Sequence, residues 1–153
     1  MATESEHSSK IITKLNSFKQ FWMYKQVQQG MGKAGIPDIM GCCLGRLTGL
    51  EVKKLDNLNY TALQVNCGQK ISSAGGFFCG LVVKERKNKR AIYGLDLLCN
   101  GKFSHLKYGD LHMLALNLVD LINLEFQFQE NRPLTEAKPF LEILRFSEDF
   151  SSH

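Results

Sequence analysis

The chain has 153 residues, of which 44% are hydrophobic and 22% are charged, and its formal net charge is +4. This length suits one domain, residues 1–153, with a substantial core, and the composition excludes a largely disordered chain. No apolar run in the chain is long enough to span a membrane. The first residues are polar and acidic, unlike those of a signal peptide. We therefore expect an intracellular protein, cytoplasmic or associated with the nucleoid, without membrane contact.

The charges are unevenly distributed. From Glu125 onward acids outnumber bases by three, so the first 124 residues carry a surplus of seven positive charges. A basic body with an acidic tail suits a polyanionic partner, because lysine and arginine neutralise phosphates. A generic solubilising pattern explains the same charges equally well.

Cysteine usage favours a reducing compartment. The cysteines are odd in number, most lie in apolar surroundings, and no Cys-x-x-Cys pair or histidine cluster suggests zinc. We expect buried free thiols at Cys42, Cys43, Cys67, Cys79 and Cys99.

The chain opens with a predicted helix and a predicted strand. Apolar residues at helical spacing predict the helix from Ser5 to Lys19, with Thr3 or Ser5 as its N-cap. The aromatic-rich run from Phe21 to Val27 predicts the strand.

The next segment, Gly30–Gly35, formally satisfies G-x-G-x-x-G. A dinucleotide site needs this motif to open a helix, whereas Ile36-Pro37 follows it here and imposes extended geometry. We therefore expect no nucleotide cofactor, and interpret the glycines as a flexible loop.

A predicted hairpin follows. Strands from Asp38 to Leu44 and from Leu47 to Lys53 are joined by a tight turn at Gly45-Arg46. Such a hairpin places Asp38, at the start of one strand, beside the end of the other.

That strand end carries an acid and a base on one face. Glu51 and Lys53 are two residues apart and project together, while Val52 turns into the core. With Asp38 beside them, two carboxylates and a backbone carbonyl form an oxygen-lined site of the kind that Mg²⁺ prefers.

The remaining elements alternate helix and strand. A helix is predicted from Thr61 to Ser73, ended by Gly75-Gly76, and a buried strand from Phe77 to Lys84. A basic turn, Lys84 to Arg90, leads to a strand from Ala91 to Leu98. A long amphipathic helix is then predicted from Asp110 to Phe128.

These motifs together resemble the PD-(D/E)XK nuclease superfamily, and within it the virus-type replication-repair nuclease module (VRR-Nuc). The resemblance covers residues 4–84 and consists of Gly35-Ile36-Pro37-Asp38, Gly45-Arg46, Glu51-Val52-Lys53, Gln64 and Gly75-Gly76. It implies an α/β fold with an αβββαβ core and a mixed central sheet flanked by helices. Residues 4–84 would be the nuclease core, 85–130 a C-terminal extension with a strand and the long helix, and 131–153 an acidic tail.

The resemblance also implies an activity and its residues. It predicts a Mg²⁺-dependent DNA endonuclease, with Mn²⁺ as a substitute, in replication, repair or recombination, and a viral origin is one setting it allows. Asp38, Glu51 and the Val52 carbonyl would hold the metal, joined by Glu4 or Glu6. Lys53 and Gln64 would complete the catalytic set. Contacts to DNA are expected from basic residues, namely Lys25, Lys33, Arg46, Lys54, Arg86, Lys87, Lys89 and Arg90.

Two other functions stay open on the sequence. One is a DNA-binding module that keeps the nuclease fold without the chemistry. The other is an interaction protein that forms a homodimer through its C-terminal helix. A dimer is also what junction resolution would require, because two sites must face one substrate.

Overall fold

The computed structural model describes residues 2–26, 35–99, 102–105 and 109–123. Three α-helices lie in this part of the chain: α1 (Glu4–Asn16), α2 (Ala62–Ser73) and α3 (Leu111–Asn123). The strands described are β1 (Phe21–Lys25), β2 (Ile39–Cys43), β3 (Arg46–Lys54), β4 (Phe77–Arg86), β5 (Lys89–Cys99) and β6 (Lys102–His105). A short 3₁₀-helix covers Leu55–Asn57.

The described strands form one mixed sheet in the order β1-β2-β3-β4-β5-β6. Only the β3–β4 pair among them is parallel, and α2 makes the crossover that a parallel pair requires. The α/β class is therefore confirmed. From α1 to β4 the elements follow the expected order αβββαβ.

The two faces of the sheet are covered differently. On one face α1 and α3 contribute to the main core, where Leu50 and Val52 of β3 are fully buried. On the other face α2 packs through a small cluster that includes Ile71 and Phe78. None of the helices that the structure describes has the length and apolar character needed to cross a bilayer.

Side chains at both ends of α1 form hydrogen bonds with the backbone. Thr3 is its N-cap and forms a capping box with Glu6. The helix ends at Asn16, three residues before the expected Lys19. The Asn16 side chain accepts from Met23 N at 2.8 Å and donates to Met23 O at 2.9 Å, so it pairs with the backbone of β1 as a neighbouring strand would.

The β2–β3 hairpin turns one residue earlier than the sequence suggested. Cys43 pairs with Arg46, so the two-residue turn is Leu44-Gly45. Both turn residues have positive φ, 52° and 79°, as the tight hairpin turn that matches strand twist requires. Arg46 is thus the first residue of β3.

The C-terminal half differs more from expectation. The segment Lys84 to Arg90, expected as a turn, is mostly strand, because β4 and β5 pair up to Arg86 and Lys89 and leave only Lys87-Asn88 between them. Strand β6 was not predicted, since its four residues carry little pattern. The expected helix end at Phe128 and the tail 131–153 lie outside the described residues.

Cys42, Cys43, Cys67 and Cys79 are free thiols, as expected, while the side chain of Cys99 lies outside the part of the chain that the structure describes. Cys43 and Cys79 are buried and Cys67 is half-buried. The expectation of burial is wrong for Cys42, which β2 directs to the opposite face from Cys43, where it is exposed.

Candidate active site

Asp38 lies where β2 and β3 separate. Its Oδ2 accepts a hydrogen bond of 2.9 Å from the backbone N–H of Val52, beyond the last ladder pair of Ile39 with Leu50. Pro37 precedes it and has no N–H to continue the ladder, so the carboxylate bonds the strand instead. The carbonyl of a strand residue points to the same side as its N–H, so the Val52 carbonyl is also directed towards the Asp38 side of β3.

Glu51 is the buried acid of the site, with 2% of its surface exposed. Its Oε1 accepts a hydrogen bond of 2.8 Å from Gln64 Nε2. Its Oε2 is buried and has no hydrogen-bond partner among the described residues. A buried carboxylate oxygen without a partner is unfavourable, so this atom marks the point where a ligand would complete the site.

Gln64 is held in place by the start of α2. Thr61 is the N-cap, and its backbone N–H donates to Gln64 Oε1 at 2.9 Å. The capping box occupies the oxygen end of the amide, so the NH₂ end faces Glu51. The family resemblance predicted Gln64 as a member of the catalytic set; in the structure its amide donates to the Glu51 carboxylate.

Lys53 projects on the same side of β3 as Glu51. Its Nζ lies 3.8 Å from Glu51 Oε1, and 12% of its side chain is exposed. The ammonium also lies over the ring of Tyr60, 5.5 Å from its centroid. Lys53 is thus a nearly buried cation held between a carboxylate and an aromatic face.

The electrostatics favour a protonated Glu51 when no cation is bound. Burial, as the larger cause, and the nearby Asp38 carboxylate together raise the pKa of Glu51 to about 8. The Lys53 ammonium opposes both effects. A divalent cation held by these residues would remove this penalty by stabilising the ionised form.

The structure distinguishes Glu4 from Glu6, which the sequence could not. Glu6 is exposed and its side chain accepts from Thr3 N–H in the capping box. Glu4 is half-buried and faces the site: burial raises its pKa, while Lys53 lowers it and Asp38 raises it. Of the two, Glu4 is the one near the candidate metal ligands.

The residues present fit a hard divalent cation. No group of three or more His, Cys, Asp or Glu side chains in the described residues could hold a metal by itself. Mg²⁺ does not need one, because it commonly binds through one or two carboxylates and keeps several waters. Asp38, the unpartnered Glu51 oxygen and the Val52 carbonyl supply such a partial set.

A second polar pair beneath the site was missed from the sequence. Tyr60 donates a hydrogen bond of 2.6 Å to Asp96, which is fully buried. Glu51, Gly80 and Asp96 occupy adjacent positions on β3, β4 and β5. A Cβ on Gly80 would lie 2.1 Å from the Tyr60 hydroxyl, so glycine makes room for this contact. The sequence did contain one signal for this pair, because Asp96 is a single carboxylate within the otherwise apolar part of β5.

The predicted DNA-contacting residues are dispersed. Lys54 turns away from Glu51 to the α1 face, where its Nζ lies 3.2 Å from Glu85; His7 lies 3.0 Å from the same carboxylate. Lys25 bonds Ser5 at the start of α1. The remaining described ones lie at hairpins: Arg46 at the start of β3, and Arg86, Lys87, Lys89 and Arg90 at the β4–β5 turn. Lys33, with most of the Gly30–Gly35 segment, lies outside the described residues.

Comparison with known proteins gave no assignment. No model of a known protein family matches the chain, and no curated protein matches it. The geometry of the site and the resemblance of its motifs are therefore the grounds for a functional proposal.

Proposed function

We propose that this protein is a Mg²⁺-dependent endodeoxyribonuclease that hydrolyses phosphodiester bonds in structured DNA such as junctions, flaps or nicked duplexes. The observation that carries the proposal is the convergence of Asp38, Glu51 and Lys53 at one point of the sheet, with one buried Glu51 oxygen lacking a partner. In a surface hairpin without a function, the acid and the lysine would be solvated, whereas here one is buried and the other nearly buried, side by side.

The proposed cofactor is Mg²⁺, with Mn²⁺ as a substitute, held by Asp38, Glu51 and the Val52 carbonyl. When bound, such an ion polarises the scissile phosphate and lowers the pKa of water. Glu4 is the acid that we propose as an additional contact to the metal, because it interacts electrostatically with Lys53 and Asp38.

The protein's own groups have separate roles in this proposal. Lys53 carries a positive charge into a nearly buried position, where it holds the attacking water or a phosphate oxygen and stabilises developing negative charge. Gln64 keeps the Glu51 carboxylate in one orientation through its 2.8 Å hydrogen bond. Asp38 also fixes the backbone of Val52, and with it the direction of the neighbouring carbonyl.

The fold supports the same proposal. The order αβββαβ and the mixed sheet flanked by helices are what the PD-(D/E)XK resemblance implies. The sheet is mixed because β2 and β3 form an antiparallel hairpin while β3 and β4 are a parallel pair joined by α2. We propose that the chain has this fold and is a VRR-Nuc member. Its place of action would then be wherever DNA is processed inside the cell, including a host cell if the protein is viral.

The test is cleavage of labelled DNAs: blunt duplex, nicked duplex, flap, splayed arm and four-way junction. Each is incubated with Mg²⁺, Mn²⁺ or EDTA. Wild type should cut at least one substrate with metal and none in EDTA. Lys53→Ala should lose about 10²–10³ in rate, the usual effect of removing one charge-stabilising group. Lys70→Ala, an exposed lysine at the end of α2, is the matched control and should cut as wild type does.

Other outcomes would reject the proposal in distinct ways. DNA binding without cutting under any metal condition would identify a catalytically silent module. A stable dimer that neither binds nor cuts DNA would identify an interaction protein. Cutting that persists in Lys53→Ala would indicate a contaminating nuclease or a different site.

A further inference from the structure

Strand β1 exposes two aromatic side chains on one face. Phe21 and Met23 are buried in the main core, whereas Trp22 is 68% and Tyr24 43% exposed. Their rings lie 5.5 Å apart between centroids and are tilted by 56°. Large aromatic side chains exposed next to each other at a sheet edge commonly mark a binding surface.

This aromatic pair shares the face that carries the candidate active site. Tyr24 lies opposite Met40 of β2, and Met40 lies opposite Gly49 of β3. Paired residues project to the same face, and so do residues two apart along a strand. Two residues along the strands from Met40 and Gly49 are Asp38 and Glu51, so the cross-strand row that contains Tyr24 lies next to the row that contains the two carboxylates.

The face is left open beside α2. A second cross-strand row, farther from the carboxylates, consists of Trp22, Cys42 and Leu47. Cys42 is exposed in this row, and Leu47 is 51% exposed. Strand geometry puts the Tyr24 row about 7 Å and the Trp22 row about 14 Å from the row of the carboxylates. At about 3.4 Å per stacked nucleotide, this corresponds to roughly two to four nucleotides of one strand.

This face carries its positive charge at the candidate active site. Lys53 projects to it beside Glu51, whereas the other cations of β1, β2 and β3 lie at positions that project to the opposite face, namely Lys25, Arg46 and Lys54. Aromatic faces stack on bases of any sequence, but the faces of bases within a duplex are covered by their neighbours. An exposed aromatic pair leading to a phosphodiesterase centre therefore fits unpaired bases.

We propose that Trp22 and Tyr24 form a stacking platform for unpaired nucleotides, which directs a single-stranded segment of the substrate towards Asp38 and Glu51. This inference rests on the proposed nuclease function and narrows its substrate class to DNA with a single-stranded arm or flap. The stacking itself requires no metal and is measurable without cleavage.

The chain offers its own probe for the test, because Trp22 is its single tryptophan. Tryptophan fluorescence is titrated in EDTA with oligothymidine, a splayed-arm DNA or a blunt duplex. Stacking predicts saturable quenching by the first two and little by the duplex. Tyr24→Leu should weaken oligothymidine binding about 5- to 150-fold, as loss of one stacked base implies, whereas Tyr24→Phe should keep it.

The same comparison applies to the tryptophan. Trp22→Phe and Trp22→Leu are compared by anisotropy of a labelled oligothymidine, with circular dichroism to verify folding. The leucine variant keeps apolar surface and loses the aromatic face, so only it should bind weakly. Equal binding by the leucine and phenylalanine variants would overturn the platform.

The two proposals fail separately. Metal-dependent cutting that is lost in Lys53→Ala but unchanged in both leucine variants on a splayed arm would overturn the platform and leave the nuclease. Trp22 quenching by oligothymidine without cutting of any DNA would support the platform and reject the nuclease. Leucine variants that convert a dimer to a monomer, with DNA binding unchanged, would show that the aromatic pair is an interface between copies and overturn the platform.

Discussion

Gln64 bonds Glu51 with one end of its amide and the backbone of Thr61 with the other. The two contacts, 2.8 Å and 2.9 Å, fix both atoms of the amide, so the side chain cannot flip without losing one of them. The capping box that begins α2 therefore also orients a carboxylate on β3. A local helix signal and a distant functional group depend on the same side chain.

Replacing Gln64 separates these roles. Gln64→Glu keeps a side-chain oxygen that can accept from Thr61 N–H in the capping box but presents a carboxylate oxygen, which cannot donate, to Glu51, whereas Gln64→Ala removes both contacts. Loss of a hydrogen bond to a charged group, about 1.5–3 kcal/mol, predicts a cleavage rate about 10- to 150-fold lower in both variants. Unfolding by urea should show Gln64→Ala as the less stable of the two near pH 7.

Gln69→Ala is the matched control, since Gln69 lies on α2 one turn beyond the capping box. It should cleave as wild type does. A Gln64→Glu variant with wild-type activity would contradict the orienting role.

Asp38 allows charge and hydrogen bonding to be tested apart. Asp38→Asn keeps an oxygen that can accept from Val52 N–H, so its free energy of unfolding should stay within about 1 kcal/mol of wild type in EDTA. Asp38→Ala leaves that donor without its partner and should lose about 1–3 kcal/mol. Both variants should cleave DNA at least about 100-fold more slowly than wild type. This loss exceeds the usual effect of removing a residue that only hydrogen-bonds a metal ligand.

The readout that isolates metal binding is the shift of melting temperature with Mg²⁺ or Mn²⁺. Wild type should be stabilised by either ion, because only the folded state assembles the oxygens. Neither Asp38 variant should respond. A full response in Asp38→Asn would exclude this carboxylate as a ligand.

The sequence predicted the hairpin part of the site well because its signals are local. Pro37, the turn glycine and the alternation around Val52 specify where β2 starts and which side chains share a face. Once the hairpin closes, its register brings Asp38 beside Glu51 without help from the rest of the chain. Only the position of the turn was wrong, by one residue.

The parts that the sequence missed depend on register between distant segments. Tyr60 meets Asp96 only because β5 pairs with β4 so that Asp96 lies opposite Gly80. No spacing along the chain encodes that pairing. The choice between Glu4 and Glu6 differs from this, because the spacing Thr3-x-x-Glu6 is a local capping-box signal and the box engages Glu6.

Gly80 is expected to tolerate no side chain. A Cβ there would lie 2.1 Å from the Tyr60 hydroxyl and 3.0 Å from Asp96 Cβ, so Gly80→Ala must displace Tyr60. Overpacking of this kind typically costs about 1–3 kcal/mol of unfolding free energy. Tyr60 also lies under Lys53, so cleavage should fall as well.

A double-mutant cycle distinguishes this steric effect from a general disturbance of β4. Tyr60→Phe removes the hydroxyl that the new methyl group would meet. Gly80→Ala should therefore destabilise the Tyr60→Phe background less than wild type, as measured by urea unfolding. Additive effects of the two changes would show that the clash is not the cause.

The raised pKa of Glu51 predicts an unusual pH dependence in chelator. The folded state favours the protonated acid up to about pH 8, whereas the unfolded chain releases the proton near 4.5. The contribution of Glu51 to stability is therefore fully present below pH 4.5 and is lost as the pH rises through about 8, with a slope of at most about 1.4 kcal/mol per pH unit. Glu51→Gln cannot ionise and should lack this component.

The measurement is the difference in unfolding free energy between wild type and Glu51→Gln from pH 5 to 9, with and without Mg²⁺. Groups common to both proteins largely cancel in this difference. In EDTA wild type should lose stability relative to the variant as the pH rises. With Mg²⁺ the loss should shrink or reverse above pH 8, because the ionised carboxylate binds the cation without competition from a proton. A difference that is independent of pH in EDTA would mean that Glu51 is already ionised without metal, and that its buried oxygen is satisfied by water instead of awaiting a cation.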